Sequence, residues 1–425
     1  MMLQPAARLT RWLLSLAIAL VLAGAQAQHE GVELVIASAS DGAEGNKISS
    51  PYIAQCEADL GVSVEFSELS QSALQTRIAT LHAARSPEAD IVWTWAGQTA
   101  QWASAGLFLD ITDMVSAEEW DTFVPGALNA VTFEGRRYGI PRFFSIRHFY
   151  YNTAMFEEAG LDPERPPRDW DEFVAAAIAT TDPSIGRYAV LHDYGSNNSL
   201  QINFMEHLVL TGGRFFDAEG NLTINDAAAV DALSRIVELN ELGVVDPASF
   251  GIGEGPAKRA RWIQGNNSMQ WGWAADWAQS NDPEISSIVG DVAVGLIPGI
   301  VEESGAVTGS EGFAISTHSR NPEAALALLL CMMSAENQKD MSLRTGWYPV
   351  RRAAFEDPEV QAASPLAAAA AAQSQYPTYR FAAPFQSEFT DILGPHLLAA
   401  IQGQVTPEAA LDAAAAELEA MIARY

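Results

Sequence analysis

The sequence predicts an α/β fold made of two layered units that are joined by crossing strands. Three observations carry this. From Leu34 to Gly106, short apolar runs alternate with helical patterns. A second alternation of the same kind follows Gly160. Between the two, residues 138–160 read as strand, an aromatic and arginine crossing, strand again, and a short helix closed by a glycine.

In order, Leu34 to Ala37 is a strand, and Ser38 to Lys47 a polar loop. Pro51 to Leu60 is a helix with Ile53, Cys56 and Leu60 on one side and a stop at Gly61. Val62, Val64 and Phe66 alternate as a strand. Leu74, Ile78 and Leu81 mark a helix. Asp90 to Trp95 is a strand, and Gln98 to Ala105 a helix. This β-α-β-α-β order predicts a mostly parallel sheet. Tyr138 to Pro141 reads as a strand that Pro141 ends, because proline has no N–H for the ladder. Phe149 to Asn152 resumes as strand, and Thr153 to Gly160 is helix. Asp169 to Glu172 caps a helix through Ala179, and Tyr188 to Leu191 is a strand. Asp226 to Leu242 is a helix with Val230, Leu233 and Val237 inward. Val292 to Ile297 and Gly312 to Ser316 are strands, and Pro322 opens the helix carrying Cys331. The Ala-rich residues 362–373 read as a surface helix. Thr406-Pro407 starts a last helix with Leu411, Leu418 and Ile422 on one face.

The start of the chain has export character. Arg8 and Arg11 precede the apolar run Trp12 to Ala23, and Ala25-Gln26-Ala27 is a cleavage site. Residues 1–27 are thus expected to be a signal peptide, with no cysteine nearby to take a lipid anchor. The formal charge is −29, which argues against nucleic acid or anionic lipid as a partner. Two cysteines do not make a disulfide framework. Cys56 and Cys331 are expected to be buried free thiols, with one disulfide between two helices as the alternative.

Six tryptophans stand out: Trp93, Trp95, Trp271, Trp273, Trp277 and Trp347. Each either fills a core or offers a flat face to the C–H side of a sugar ring. Asp41 and Glu44 follow the first strand, where open α/β sheets bind ligands, although a solvated turn explains them equally. Ser310 and Glu311 lie between Gly309 and Gly312, which permit close backbone approach. Asp217 to Thr223 spaces its oxygens as in a calcium loop but lacks the downstream Glu, so a turn is expected. The chain has no Walker A, His-Glu-x-x-His or Gly-x-Ser-x-Gly motif, and Gly251-Ile-Gly-Glu-Gly-Pro fails the dinucleotide pattern. We therefore expect no enzyme, cofactor or metal. A secreted glycoside hydrolase is the rival reading, since a catalytic carboxylate pair hides easily among so many acids.

Five segments carry a resemblance over nearly the whole exported chain. They are Tyr138-Gly-Ile-Pro with Tyr150-Tyr-Asn, Asp90-Ile-Val-Trp-Thr-Trp with Ala105-Gly-Leu, Gly309-Ser-Glu-Gly-Phe-Ala-Ile-Ser, Ser334-Ala-Glu-Asn-Gln-Lys with Gly346-Trp-Tyr-Pro-Val-Arg, and Gly403-Gln-Val-Thr-Pro-Glu-Ala-Ala-Leu. In this order the chain resembles the extracellular solute-binding proteins of ABC transporters, in the maltose- and trehalose-binding branch. The resemblance implies a type II periplasmic-binding-protein fold, two α/β lobes with a multi-strand hinge and a cleft. Lobe one would take 28–140 and 313–352, with both cysteines on separate helices, and lobe two 142–308 and 355–425. It implies a periplasmic monomer that binds a sugar or oligosaccharide and docks on a membrane permease. It also points to Trp95, Trp273 (after Met269), Trp347 and Arg380 (in Tyr-Arg-Phe-Ala-Ala-Pro) as ligand contacts, with Phe143, Ser145 and Arg147 at the hinge. Many relatives have an acid where Ser145 stands. Here Arg142 and Arg147 flank it, and arginine forks suit an anionic sugar unless both simply pair with acids of the protein.

Overall fold

The structure is a computed structural model that describes residues 29–39, 48–253, 255–363 and 365–425. The expected signal peptide, and Asp41 and Glu44, lie outside the described residues. In the first lobe, β1 (Glu33–Ala39), β2 (Ser63–Leu69) and β3 (Ile91–Trp95) are joined by α1 (Ile53–Leu60) and α2 (Gln71–Ala83), and α3 (Ala96–Ser104) follows. β1 lies between β2 and β3 and parallel to both, with Leu34 opposite Val64 and Ile36 opposite Ile91. Gly61, at φ 72°, ends α1 in the left-handed conformation that glycine adopts without strain.

The chain crosses through β4 (Gly139–Ile146) into β5 (His148–Asn152). The second lobe adds β6 (Tyr188–Val190), α4 (Asn197–Leu210), β7 (Asn267–Gly272), α5 (Ala274–Ser280) and β8 (Val292–Gly295). Its described strands form one sheet in the order β8-β5-β7-β6. The chain then returns through β9 (Ala306–Ile315), which pairs antiparallel with both β3 and β4. α6 (Pro322–Met332) and α7 (Ala335–Thr345) follow. β10 (Thr378–Tyr379) pairs with the start of β9, and α8 (Gln386–Ile401) and α9 (Pro407–Ile422) end the chain. Among the described residues no helix is long and apolar enough to cross a membrane.

Three expectations are corrected. Pro141 does not end its strand, because β4 runs on to Ile146. The ladder slips here: Gly312 faces Pro141 and Glu311 faces Phe143, leaving Arg142 as the extra residue. Such a bulge tolerates a residue that cannot donate. In the helix Ala227–Glu241 the buried stripe is Ala229, Ala232, Leu233, Ile236 and Leu239, so Val230 and Val237 sit only at its margin. The third concerns the cysteines. They are not free thiols: α1 and α6 pack side by side, and Cys56 and Cys331 are bonded, with Cα atoms 6.0 Å apart. Helix pairing over that sequence distance leaves no trace in local pattern. Titration of the unfolded, unreduced protein with a thiol reagent is expected to find no free thiol. Two equivalents would refute the bond.

Candidate functional site

A cavity of about 400 Å³ lies between the lobes, within the size range of small-molecule sites. The nine described residues expected to contact a ligand all line it, namely Trp95, Phe143, Ser145, Arg147, Trp273, Ser310, Glu311, Trp347 and Arg380, whereas Trp271, Trp277 and Arg142 do not. Local folding explains the gathering. Trp93 and Trp95 are two residues apart on β3 and so share a face, and both reach the wall. β9 runs between β3 and β4, which sets Glu311 opposite both Trp95 and Phe143. Trp347 follows the left-handed Gly346 that closes α7, and it stacks on Phe143 with ring centres 4.2 Å apart. Trp273 caps α5, and the Asp276 carboxylate accepts its N–H at 2.9 Å.

Two glycines on β9 are required by close approach. A Cβ on Gly309 would lie 2.8 Å from the Trp273 ring, and one on Gly312 would lie 2.5 Å from Val131. The lobes also touch at the rim. Ser387 of α8 donates to Gln101 of α3 at 2.8 Å. A Cβ on Gly97 would meet the Gln386 side chain at 2.7 Å.

The arginines of the crossing are paired and buried. Arg142 is wholly buried, and its Nη2 lies 2.5 Å from Glu311 Oε2, which also accepts the Trp93 indole N–H at 2.6 Å. Arg147 is 2 % exposed. Its Nε lies 2.9 Å from Oε1 of Glu206, itself 1 % exposed, and its Nη1 donates to the Trp271 carbonyl. The Arg147 guanidinium also lies 4.4 Å from the centre of the Trp273 ring. Burial raises the Glu206 carboxyl above its ordinary range, and the Arg147 charge opposes this. Lys258 stands 3.6 Å from Asp193, and Arg259 the same distance from Asp276. Arg380 packs over Trp95 at 4.5 Å, and burial pushes it down to about 10. It thus stays a cation at neutral pH.

Several buried polar atoms on this wall have no hydrogen-bond partner: Nε1 of Trp95 and of Trp347, Oγ of Ser145, Nε of Arg380 and Oε1 of Gln386. An unmet donor or acceptor costs about 1–3 kcal/mol. Such atoms leave hydrogen-bonding capacity along this wall that the described side chains do not use. Sequence reasoning missed Gln75, Asn197, Arg259 and Gln386 on the same wall. Only the polar run Ser196 to Ser199, where Ser196 caps α4, gave a readable signal. The Asp217 segment closes as a turn, its carboxylate accepting from both the backbone and side chain of Asn221.

Comparison with known proteins fits this architecture. A probable ABC transporter-binding protein of Deinococcus radiodurans is 26 % identical over 268 residues, 61 % of this chain and 62 % of that protein. The match therefore spans about three fifths of that relative's length. Among solved structures, maltose-bound MalE3 of T. maritima superposes with a TM-score of 0.83 at 24 % identity, covering 92 % of this chain and 100 % of the other. A solute-binding protein of Agrobacterium radiobacter in complex with ribitol gives 0.80 at 22 %, covering 91 % and 98 %. These likenesses establish the fold as that of two α/β lobes around a cleft. The family model described as bacterial extracellular solute-binding protein matches residues 39–339, well over half of the sequence, and the chain belongs to that family.

Proposed function

We propose that this protein captures a sugar or short oligosaccharide in the interlobe cavity and delivers it to the permease of an ABC importer. The observation that carries the reading is the wall itself. Four tryptophans and a phenylalanine from both lobes surround unpartnered hydrogen-bonding atoms. Flat aromatic faces with scattered donors and acceptors match the two sides of a sugar ring. The bound maltose and ribitol of the structural neighbours support the same class of ligand. Contacts to both lobes exist only in the closed form, so ligand shifts the open and closed populations. We assign lobe one to 28–140 and 313–352 and lobe two to 142–308 and 355–425. We also propose export by the leader at 1–27, a periplasmic monomer, and no catalytic role. Against hydrolysis, Glu311 and Asp193, two of the three described acids on the wall, are each tied to a cation of the protein, whereas a glycosidase needs one carboxyl as acid and a second as base or nucleophile beside the scissile bond.

A thermal-shift screen over sugars tests the reading. A ligand at 100 times its dissociation constant should stabilise the fold by about 2.7 kcal/mol. Trp273→Ala should weaken binding of that sugar by about 1–3 kcal/mol while the ligand-free melting transition stays cooperative. Release of products from a glycan by the pure protein would refute the carrier role.

A further inference from the structure

Among the described residues five cations lie around the cavity, and four of them have a carboxylate partner. Arg142 pairs with Glu311, Arg147 with Glu206, Lys258 with Asp193, and Arg259 with Asp276. The fifth is Arg380. Among the described residues it has no carboxylate within ion-pair distance and no hydrogen bond, and its buried Nε is unpartnered. Glu311 is the nearby acid, but its Oε2 is already taken by Arg142 and by the Trp93 indole. The Arg380 guanidinium carbon lies 4.5 Å from the centre of the Trp95 ring, on the cavity wall. A contact with a ring takes up none of a guanidinium's N–H donors, and such a fork suits an oxyanion. Sugar hydroxyls would satisfy its hydrogen bonds but would leave its charge unbalanced in a partly desolvated site.

We infer that the ligand is an anionic sugar whose carboxylate or sulfate ester pairs with Arg380 while its ring lies among the tryptophans. This rests on the sugar-binding reading above. The anion selectivity falls to Arg380 rather than to the arginines of the crossing, since Arg142 and Arg147 already hold internal carboxylates.

The test is calorimetry on the full exported chain with matched probes: D-glucose, D-glucuronate and D-glucose 6-sulfate, then D-galactose with D-galacturonate, and the corresponding disaccharides. In at least one set the anionic member should bind ten or more times tighter than its neutral partner. Preference for the uronate or for the sulfate ester tells the two oxyanions apart. Arg380→Met should remove that preference, lowering anion affinity at least tenfold and neutral affinity less than threefold. Arg380→Lys, which keeps the charge but not the fork, should recover part of it. Equal or tighter binding of the neutral members overturns the inference and leaves the sugar-binding reading standing, as does an Arg380→Met loss equal for both members. Saturable binding of none of these probes would defeat the sugar-binding reading itself.

Discussion

Replacing Arg147 with methionine should destabilise the fold by about 3–5 kcal/mol, read from the urea midpoint at neutral pH. The Arg147 and Glu206 side chains are 3 % and 1 % exposed, so the change strands a carboxylate with little access to water. The Trp271 carbonyl also loses the Arg147 N–H, although Lys258 donates to the same oxygen at 2.9 Å. The double variant Arg147→Met with Glu206→Gln should recover a large part of the loss, because no buried charge is then left alone. A single-variant loss below about 1 kcal/mol would mean that water reaches the pair.

Acid should destabilise this protein before most of its carboxylates protonate. Three histidines are fully buried. Burial holds His148 down to about 3 and His207 to about 4, and burial with the Lys258 charge holds His192 well below its ordinary value. The folded state keeps these rings neutral, whereas the unfolded chain protonates them near pH 6.5. Between those values the unfolded state binds more protons, so stability rises with pH. It is complete above about pH 6.5 and is lost as pH falls towards the folded values. Each pH unit in that window costs about 1.4 kcal/mol per ring. Going from pH 6.5 to 4.5 therefore costs several kcal/mol for His148 and His207 together. Glu206 acts in the opposite sense, since its carboxyl is raised, but it is one group against three. A stability profile that stays flat from pH 6.5 to 4.5 would show the rings to be charged or solvated inside the fold.

Much of the wall was legible because its residues sit at element ends or beside glycines. Trp95 ends a strand, Ser310 and Glu311 lie between glycines, and Trp347 follows a helix-stopping glycine. What stayed hidden lacks a two-sided pattern. α4 buries nearly everything from Ser199 to Leu210, including Gln201, Asn203, Glu206 and His207. It therefore shows no apolar stripe against a polar face. β7 is buried at all six positions, yet reads Asn-Ser-Met-Gln-Trp-Gly, with no β-branched residue to mark a strand. α8 contains Gly394 and Pro395, which break a helical pattern on paper. In the fold, the Asn197 side chain fills the space that a Cβ on Gly394 would need. The pairing of Arg147 with Glu206, and the bond between Cys56 and Cys331, join segments that only the tertiary fold brings together.

The place of β9 has a consequence for the newborn chain. Ribosomes release the segment of β1, β2 and β3 first, but β3 has no neighbour on its outer side until residues 306–315 emerge. The four strands of the second sheet, residues 148–295, lie in one uninterrupted stretch and are all available before that. The sheet begun first therefore closes only after the second sheet has all its strands. It waits with an unpaired strand edge while residues 96–305 are synthesised, and its final contacts close long loops at high entropic cost. An open edge of this kind invites pairing with other chains. The interval before β9 docks is thus when this protein most needs a chaperone.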